Sequence, residues 1–363
     1  MTKYVLKIII IAQTKKKKKE KNMASTINIR PRSPYKVAII VNQYSSGGSY
    51  KPLIAEEFYN QINKFQLDTG HNMAISFSRT RTHIAKAVTS LQREGCNMFI
   101  ICGGDGTIND VIQNLNEGNV IIPIPAGNAN DFARRVNIFH WRDTIQAVKN
   151  ILNGSVNLIG VDIGEVCFKN KAGENLSRKF INNCGIGVTA DTVKRVDGQV
   201  SKDYIKAGFF SLMLAKAFGF TFYSKIKKQN IYLKTIGLEI LLCDRVGRRA
   251  NFAPYKHQND ESLHFLLFKK LPFLKKLALM ALLNQGAILV KSKLVEYFHN
   301  YPEISETNSL GLTTEGLKEL WTMFHEPTLM HTDGNLVPEF NEIAQTDCKI
   351  KLLPKYFKSI APC

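Results

Sequence analysis

The sequence predicts an α/β N-terminal domain built on a parallel sheet, followed by a β-rich, sandwich-like C-terminal domain. Three observations predict it. Short apolar runs alternate with amphipathic helical segments between residues 36 and about 155. Glycine-rich loops follow at least two of those runs, at the strand ends where open α/β sheets bind ligands. After about residue 155 the alternation gives way to strand-like segments separated by turn signals.

Taken in order, 37–41 is a buried strand and 45–48 a loop of small residues. Residues 53–65 have helical periodicity, 73–78 form a second strand, and 83–95 a helix closed by Gly95. Phe99, Ile100, Ile101 and Cys102 make a third buried strand. Ile108, Val111, Ile112 and Leu115 then stand at helical spacing. Residues 120–125 are a fourth strand, and "AGNANDFARRV" turns into a helix. Strands covered by helices on both faces imply parallel pairing. In the second half, 158–168, 178–188, 230–244 and 263–271 read as strands, with helices near 202–219 and 271–284. The expected division is a disordered or misassigned tail (1–35), the α/β domain (36–155), the β-rich domain (156–345) and a C-terminal segment (346–363).

Composition is consistent with two domains: 363 residues, 44% apolar and 10% aromatic. Net charge is +19; the first 22 residues hold eight Lys and one Glu, and the remainder, with 41 basic and 29 acidic side chains, is still +12. That excess suits nucleotide phosphate, nucleic acid or an acidic lipid surface, or is simply a soluble basic surface. The seven cysteines are odd in number and include no C-x-x-C pair, which points to a reducing compartment without a disulfide framework or zinc site. The eight histidines form no H-x-x-x-H pattern, which argues against a transition-metal site. "YVLKIIII" is shorter than the roughly 20 residues of a membrane span. Its lysine run follows the apolar stretch, the reverse of a secretory signal. Either Met23 is the start or the segment is a tail; a basic membrane tether is the alternative.

The loop Gly103, Gly104, Asp105, Gly106, Thr107 carries the most chemistry. Glycines let backbone N–H groups approach an anion, and the following helix N-terminus adds partial positive charge. An aspartate among those donors repels phosphate unless it holds Mg²⁺ or orders the loop and water around the metal. Thr107 is placed to cap the helix. A structural tight turn is the competing reading. No G-x-x-x-x-G-K-[ST] stretch occurs, so this is not a Walker A loop.

"GGDGTIND" (103–110) resembles the signature of the diacylglycerol kinase catalytic-domain family, which includes bacterial lipid kinases and sphingosine and ceramide kinases. NAD kinases and phosphofructokinases are more distant relatives. "IPIPAGNANDFARRV" (122–136) is similar to that family's second block, matching at Pro125, Gly127, Asn130, Asp131, Phe132, Ala133 and Arg134. "VNQYSSGG" (41–48) resembles its opening loop through Asn42, with Gln43 in place of proline. "RKFINNCGIGVTA" (178–190) and "MHTDGNLV" (330–337) resemble its later motifs. The resemblance runs in order from about residue 36 to 360.

The resemblance implies a lipid kinase using ATP and Mg²⁺, with diacylglycerol converted to phosphatidate as the simplest reaction. Nucleotide contacts carry over to Asn42, Ser78, Gly103, Gly104, Asp105, Gly106, Thr107, Asn109, Asp110, Gly127, Asn128 and Asn130. Alignment at Ser78 is loose, and a surface hydroxyl is the plainer reading there. Asn182 and Gly187 read as fold elements. Asn128 replaces the family's Thr, and Asn335 replaces the family's late Glu, the proton acceptor for the lipid hydroxyl. Catalysis is therefore expected from Asp333 beside Asn335, and Asn335→Glu is expected to preserve or raise transfer. A structural Mg²⁺ is implied at Asp260, with backbone oxygens of His257 and Ser262; Glu261 replaces a family Gly, and a solvated acidic turn is the plain alternative. Asp105 belongs to the metal set as well. The last strands return toward the first domain. The implied partner is a lipid at a membrane surface, favoured by anionic lipid, without nucleic acid and with a homodimer left open; the implied location is cytoplasmic and peripheral at the membrane. Alternatives are a sphingoid-base or ceramide kinase, a NAD kinase-like enzyme, and a pseudokinase acting as a membrane-binding module.

Overall fold

The central strands of the first sheet are largely apolar because both their faces are covered. β1 (Val37–Asn42), β2 (Met73–Ser78), β3 (Met98–Gly103) and β4 (Val120–Pro125) pair in parallel in the order β2-β1-β3-β4. β3 is buried along its whole length and β1 along all but its last residue. The computed structural model describes residues 34–42, 57, 60–61, 73–78, 80–197, 203–224, 229–247, 250–252, 260–284, 294–298, 300–304, 310–316, 318–340 and 346–360. The expected tail, the 45–48 loop, most of the 53–65 helix and His257 lie outside them.

Helices α1 (Arg81–Arg93), α2 (Asp105–Ile112), α3 (Asp131–Arg135) and α4 (Trp141–Leu152) follow β2, β3 and β4. Two of these starts have a local cause. The Thr80 hydroxyl accepts the His83 N–H, and at α4 His140 and Asp143 form a reciprocal capping box. α1 turns Ile84, Val88 and Leu91 inward at helical spacing. Chain order places a crossover between β1 and β3, with β2 on one side and β4 on the other. That switch point, at the strand C-terminal ends, is where an open α/β sheet offers a crevice.

The sheet continues rather than ending. β5 (Leu158–Lys169) and β6 (Asn175–Phe180) lead to β7 (Asn183–Gly187), α5 (Val188–Val196) and α6 (Tyr204–Leu214). Then come β8 (Phe218–Ser224), β9 (Gln229–Thr235), β10 (Gly237–Leu241), the short pair β11 (Arg245–Val246) and β12 (Ala250–Asn251), β13 (His264–Phe268) and α7 (Phe273–Asn284). β14 (Val295–Phe298), the hairpin β15 (Asn300–Ile304) and β16 (Leu310–Gly316), β17 (Glu319–Phe324), β18 (Met330–Thr332), β19 (Asn335–Leu336) and β20 (Thr346–Ile360) complete the described chain. β20 lies antiparallel to β5 and β17 and touches β4 in parallel at Lys358 and Val120, so one ten-stranded sheet runs through both halves.

A second sheet, ordered β14-β13-β10-β7-β18-β19, stacks on the antiparallel part of the first. The core between them takes alternate residues from both: Phe218, Phe220 and Phe222 from β8, Ile240 from β10, Phe265 from β13, Ile350 from β20. Its other face packs on α6 and α7 through Leu212, Leu266 and Leu279. The expected α/β half and β-sandwich-like half are both present.

Candidate active site

Two glycine loops meet over the ends of β3 and β4. The Ala126 N–H donates to the Gly103 carbonyl at 3.1 Å. A Cβ on Gly127 would stand 2.3 Å from Gly104 Cα, so only glycine permits this backbone crossing. Asn130, at φ +54°, clamps the same turn: its Oδ1 accepts the Gly127 N–H at 2.8 Å, and its Nδ2 donates to the Gly127 carbonyl at 3.0 Å. Asn130 thus shapes the loop with its own side chain, while Asn128 is exposed beside it.

Asp105 opens α2, but its carboxylate faces the neighbouring loop. It accepts the Asp131 N–H at 3.1 Å, the Phe132 N–H at 3.0 Å and Asn182 Nδ2 at 3.0 Å. Of the two readings of this residue, loop ordering is the one its contacts fit. Asn182, read from sequence as a fold element, is the partner that ties this carboxylate to the second half. Thr107 does not cap α2; Gly104 holds the cap position. The Thr107 hydroxyl instead accepts Asn42 Nδ2 at 2.9 Å, linking the ends of β1 and β3 at the switch point. Next to Asn42 in the sheet is Ser78. It is buried, not a surface hydroxyl, and its Oγ has no partner among the described residues. A buried orphan hydroxyl is costly unless a ligand or water satisfies it.

The DGN turn reaches this site from the other half. Asp333, at φ +48°, is 5% exposed and accepts four hydrogen bonds: the N–H groups of Ile181, Asn182 and Asn183 at 2.8, 2.8 and 2.9 Å, and Asn109 Nδ2 at 2.9 Å. Burial pushes its carboxyl up to about 6, against the pull of those donors. Four donors fill both oxygens, so Asp333 has no lone pair left for a substrate hydroxyl. The expected base is instead a brace for residues 181–183. Asn335 is held too, its Nδ2 donating to the Gly106 carbonyl at 2.9 Å and to Asp110 Oδ1 at 3.0 Å.

Residues 179–183 are gripped from three directions. Asn109 of α2 and Gln113 at its C-terminal cap donate to the Lys179 carbonyl at 2.9 and 2.8 Å, and Arg135 of α3 donates to the Ile181 carbonyl at 2.9 Å. Asp333 holds the same stretch from behind. Sequence reading missed Arg135, Gln113 and Arg81, whose Nε lies 3.4 Å from Asp110 Oδ1. Their partners are far away in the chain, and no local pattern marks them.

Of the implied structural metal set, His257 lies outside the described residues, and Asp260 is engaged within the fold. Asp260 Oδ2 pairs with His264 Nε2 at 2.8 Å and Oδ1 accepts the Ser262 N–H at 3.1 Å. Glu261, at φ +51° where the family has Gly, pairs with Lys355 at 2.9 Å. Among the described residues no group of three His, Cys, Asp or Glu side chains is placed to hold a metal ion. A histidine and a lysine occupy the carboxylates of this turn, and Asp105 is likewise committed.

Comparison with known proteins agrees with this architecture. A solved structure from Bacillus anthracis str. Sterne, described as a candidate diacylglycerol kinase, superposes with a TM-score of 0.60 at 18% identity, covering 94% of this chain and 98% of that one. Yeast NADH kinase complexed with NADH superposes at 0.51 with 8% identity, covering 94% and 89%. At these identities the matches show the fold alone: the architecture shared by diacylglycerol kinases and NAD-type kinases. Sequence narrows it further. Residues 36–166 match the family model of the diacylglycerol kinase catalytic domain. A stretch of 88 residues is 36% identical to the diacylglycerol kinase of Bacillus subtilis (strain 168), covering 23% of this chain and 27% of that protein. Residues 36–166 are thus similar to the diacylglycerol kinase catalytic domain, in line with the motifs at 41–48, 103–110 and 122–136.

Proposed function

We propose that the protein is a lipid kinase that moves the γ-phosphoryl group of ATP to a lipid hydroxyl, most simply that of diacylglycerol, giving phosphatidate. The observation that carries this reading is the backbone contact of Gly104 with Gly127 over the ends of β3 and β4, beside the switch point. It leaves two glycine loops, the start of α2 and the unpartnered Ser78 hydroxyl together at one sheet edge. Magnesium enters as part of the substrate, Mg·ATP. Asp105 and Asn130 keep the loops in shape, and backbone N–H groups neutralise phosphate charge. Phosphoryl transfer depends mainly on such positioning and charge stabilisation.

The lipid is met at a surface. α6 exposes Tyr204, Ile205, Phe209, Phe210 and Leu214, and α7 exposes Phe273, Leu274 and Leu277. Lys270 and Lys275 are exposed on or beside α7. Apolar side chains beside lysines suit the anionic surface of a bilayer, where each basic residue contributes about 1 kcal/mol. Lys225, Lys227 and Lys228, which follow β8 in the sequence, lie outside the described residues. No helix among the described residues is long and apolar enough to cross a membrane; the mode proposed here is peripheral, at the cytoplasmic leaflet.

The test is incubation with labelled ATP and a panel of diacylglycerol, sphingoid base, ceramide and NAD, with product separation. Labelled phosphatidate as the main product is expected. Labelling of a sphingoid base or ceramide would move the acceptor within the lipid class, labelling of NAD would replace it, and no labelling would leave a silent membrane-binding module.

A further inference from the structure

Asp105, Asp333 and Asp110 are three of the aspartates that border the meeting point of the glycine loops and the DGN turn, and the first two hold the fold around them. Asp105 accepts three hydrogen bonds and Asp333 four. The third, Asp110, lies on the side of α2 that faces the turn. Its Oδ1 accepts Asn335 Nδ2 at 3.0 Å and faces Arg81 Nε at 3.4 Å, while its Oδ2 has no hydrogen-bond partner among the described residues. The carboxylate is 15% exposed, enough to be reached and little enough to be desolvated. The structure thus places an acid against residue 335, the position where the sequence lacks one.

We propose that Asp110 is the general base of the reaction, taking the proton of the acceptor hydroxyl on Oδ2; this rests on the phosphoryl-transfer reading above. As the hydroxyl oxygen's electron pair forms the bond to the γ-phosphorus, its proton passes to Asp110. The bond from the γ-phosphorus to the β–γ bridging oxygen breaks, and its electron pair leaves with ADP. Asp110 then returns the proton to solvent. Asn335 acts as a positioning residue. Its amide, braced on the Gly106 carbonyl, holds Oδ1 and leaves Oδ2 outward.

The electrostatics agree. Burial pushes the Asp110 carboxyl up to about 6, opposed by Arg81 from α1 and Arg178 from β6. Arg178 is itself paired with Glu339 at 3.0 Å. A carboxylate in that range is ionised at neutral pH yet more basic than an ordinary one, which suits a proton acceptor.

The experiment is a pH profile of kcat for the full chain and for Asp110→Asn and Asp110→Glu, with ATP affinity and circular dichroism measured alongside. The wild-type rate should rise through a limb near pH 6 and level off. Asp110→Asn should lose about a hundredfold or more in kcat, the range of general-base effects. It should also lose the limb and keep its ATP affinity within about threefold. Asp110→Glu should retain part of the rate with a displaced limb. An Asp110→Asn protein that keeps its rate within about threefold and its limb overturns the assignment. Should that variant fail to fold, an Asp110→Glu protein with unchanged rate and limb overturns it equally. A wild-type chain that phosphorylates no hydroxyl acceptor overturns the kinase reading itself, a result distinct from an active enzyme indifferent to Asp110.

Discussion

The two glycine loops of the first half and the two acidic turns of the second half were read from the same kind of signal, and they behave differently. In the loops the glycines do what their spacing suggests: Gly104 and Gly127 bring two backbones into contact, and Ala126 bonds to Gly103. In the turns the acids do not act as their motifs suggest. Asp333 accepts three backbone N–H groups and an asparagine amide, and Asp260 pairs with His264. A glycine's role is local and follows from its missing Cβ. A carboxylate's role depends on which donors the fold brings to it.

The largest expected effect falls on the acidic side of that contrast. Asp333→Ala leaves three buried N–H groups and Asn109 without their acceptor. It should destabilise the protein by about 3–5 kcal/mol, the range for breaking a buried charged network. A urea midpoint unmoved by this change would mean Asp333 is not the brace described.

Asn335→Glu comes next. The glutamate removes the amide that donates to Gly106 and Asp110 and sets a second carboxylate against Asp110. A stability loss of about 1–3 kcal/mol is expected at pH 7. The loss should shrink at pH 5, where one carboxyl of the pair takes a proton. The sign follows from Asp110, raised from 3.8 to about 6 in the fold. It binds protons more readily folded than unfolded, so its contribution to stability falls as pH rises from about 4 to 6 and is level above. Equal midpoint losses at both pH values would remove the charge argument.

Reversing the surface lysines should matter least to stability. Lys270→Glu with Lys275→Glu should shift it by less than about 0.5 kcal/mol, yet weaken co-sedimentation with anionic vesicles and lower its salt sensitivity. Lys276 is unsuitable for this test, because its Nζ bonds the Met213 carbonyl and links α7 to α6. Vesicle binding indifferent to both lipid charge and these reversals would count against electrostatic docking.

The fold was legible where burial is two-sided and punctuation is local. β1 to β4, with α1 and α2 between them, stand within a few residues of their apolar runs and their Gly and Thr boundaries. The second half was read more coarsely. Residues 178–188 look like one strand, but Asp333 pins 181–183 and divides them into β6 and β7. The partner is about 150 residues away and leaves no local trace. Residues 230–244 divide around Ile236, where the Thr235 hydroxyl bonds the Gly237 and Phe268 carbonyls. The helix expected to 219 ends at Leu214; that expectation took in Phe218, the first residue of the alternation Phe218, Phe220, Phe222 that marks β8. At the site, the glycine loops and Asn42 were readable, whereas the pairing of Asp110 with Asn335 and the grip on 179–183 exist only in three dimensions.

The central claim is that the crossing of the two glycine loops seats the nucleotide phosphates. Calorimetric titration of ATP into the wild-type chain and into Gly127→Ala tests it most directly. The added Cβ would meet Gly104 Cα at 2.3 Å and force the loops apart. The wild-type chain should bind ATP, and Gly127→Ala, folded by circular dichroism, should bind at least about tenfold more weakly, a loss of roughly 1.4 kcal/mol. Wild-type affinity in Gly127→Ala, or no ATP binding by the wild-type chain, would contradict it.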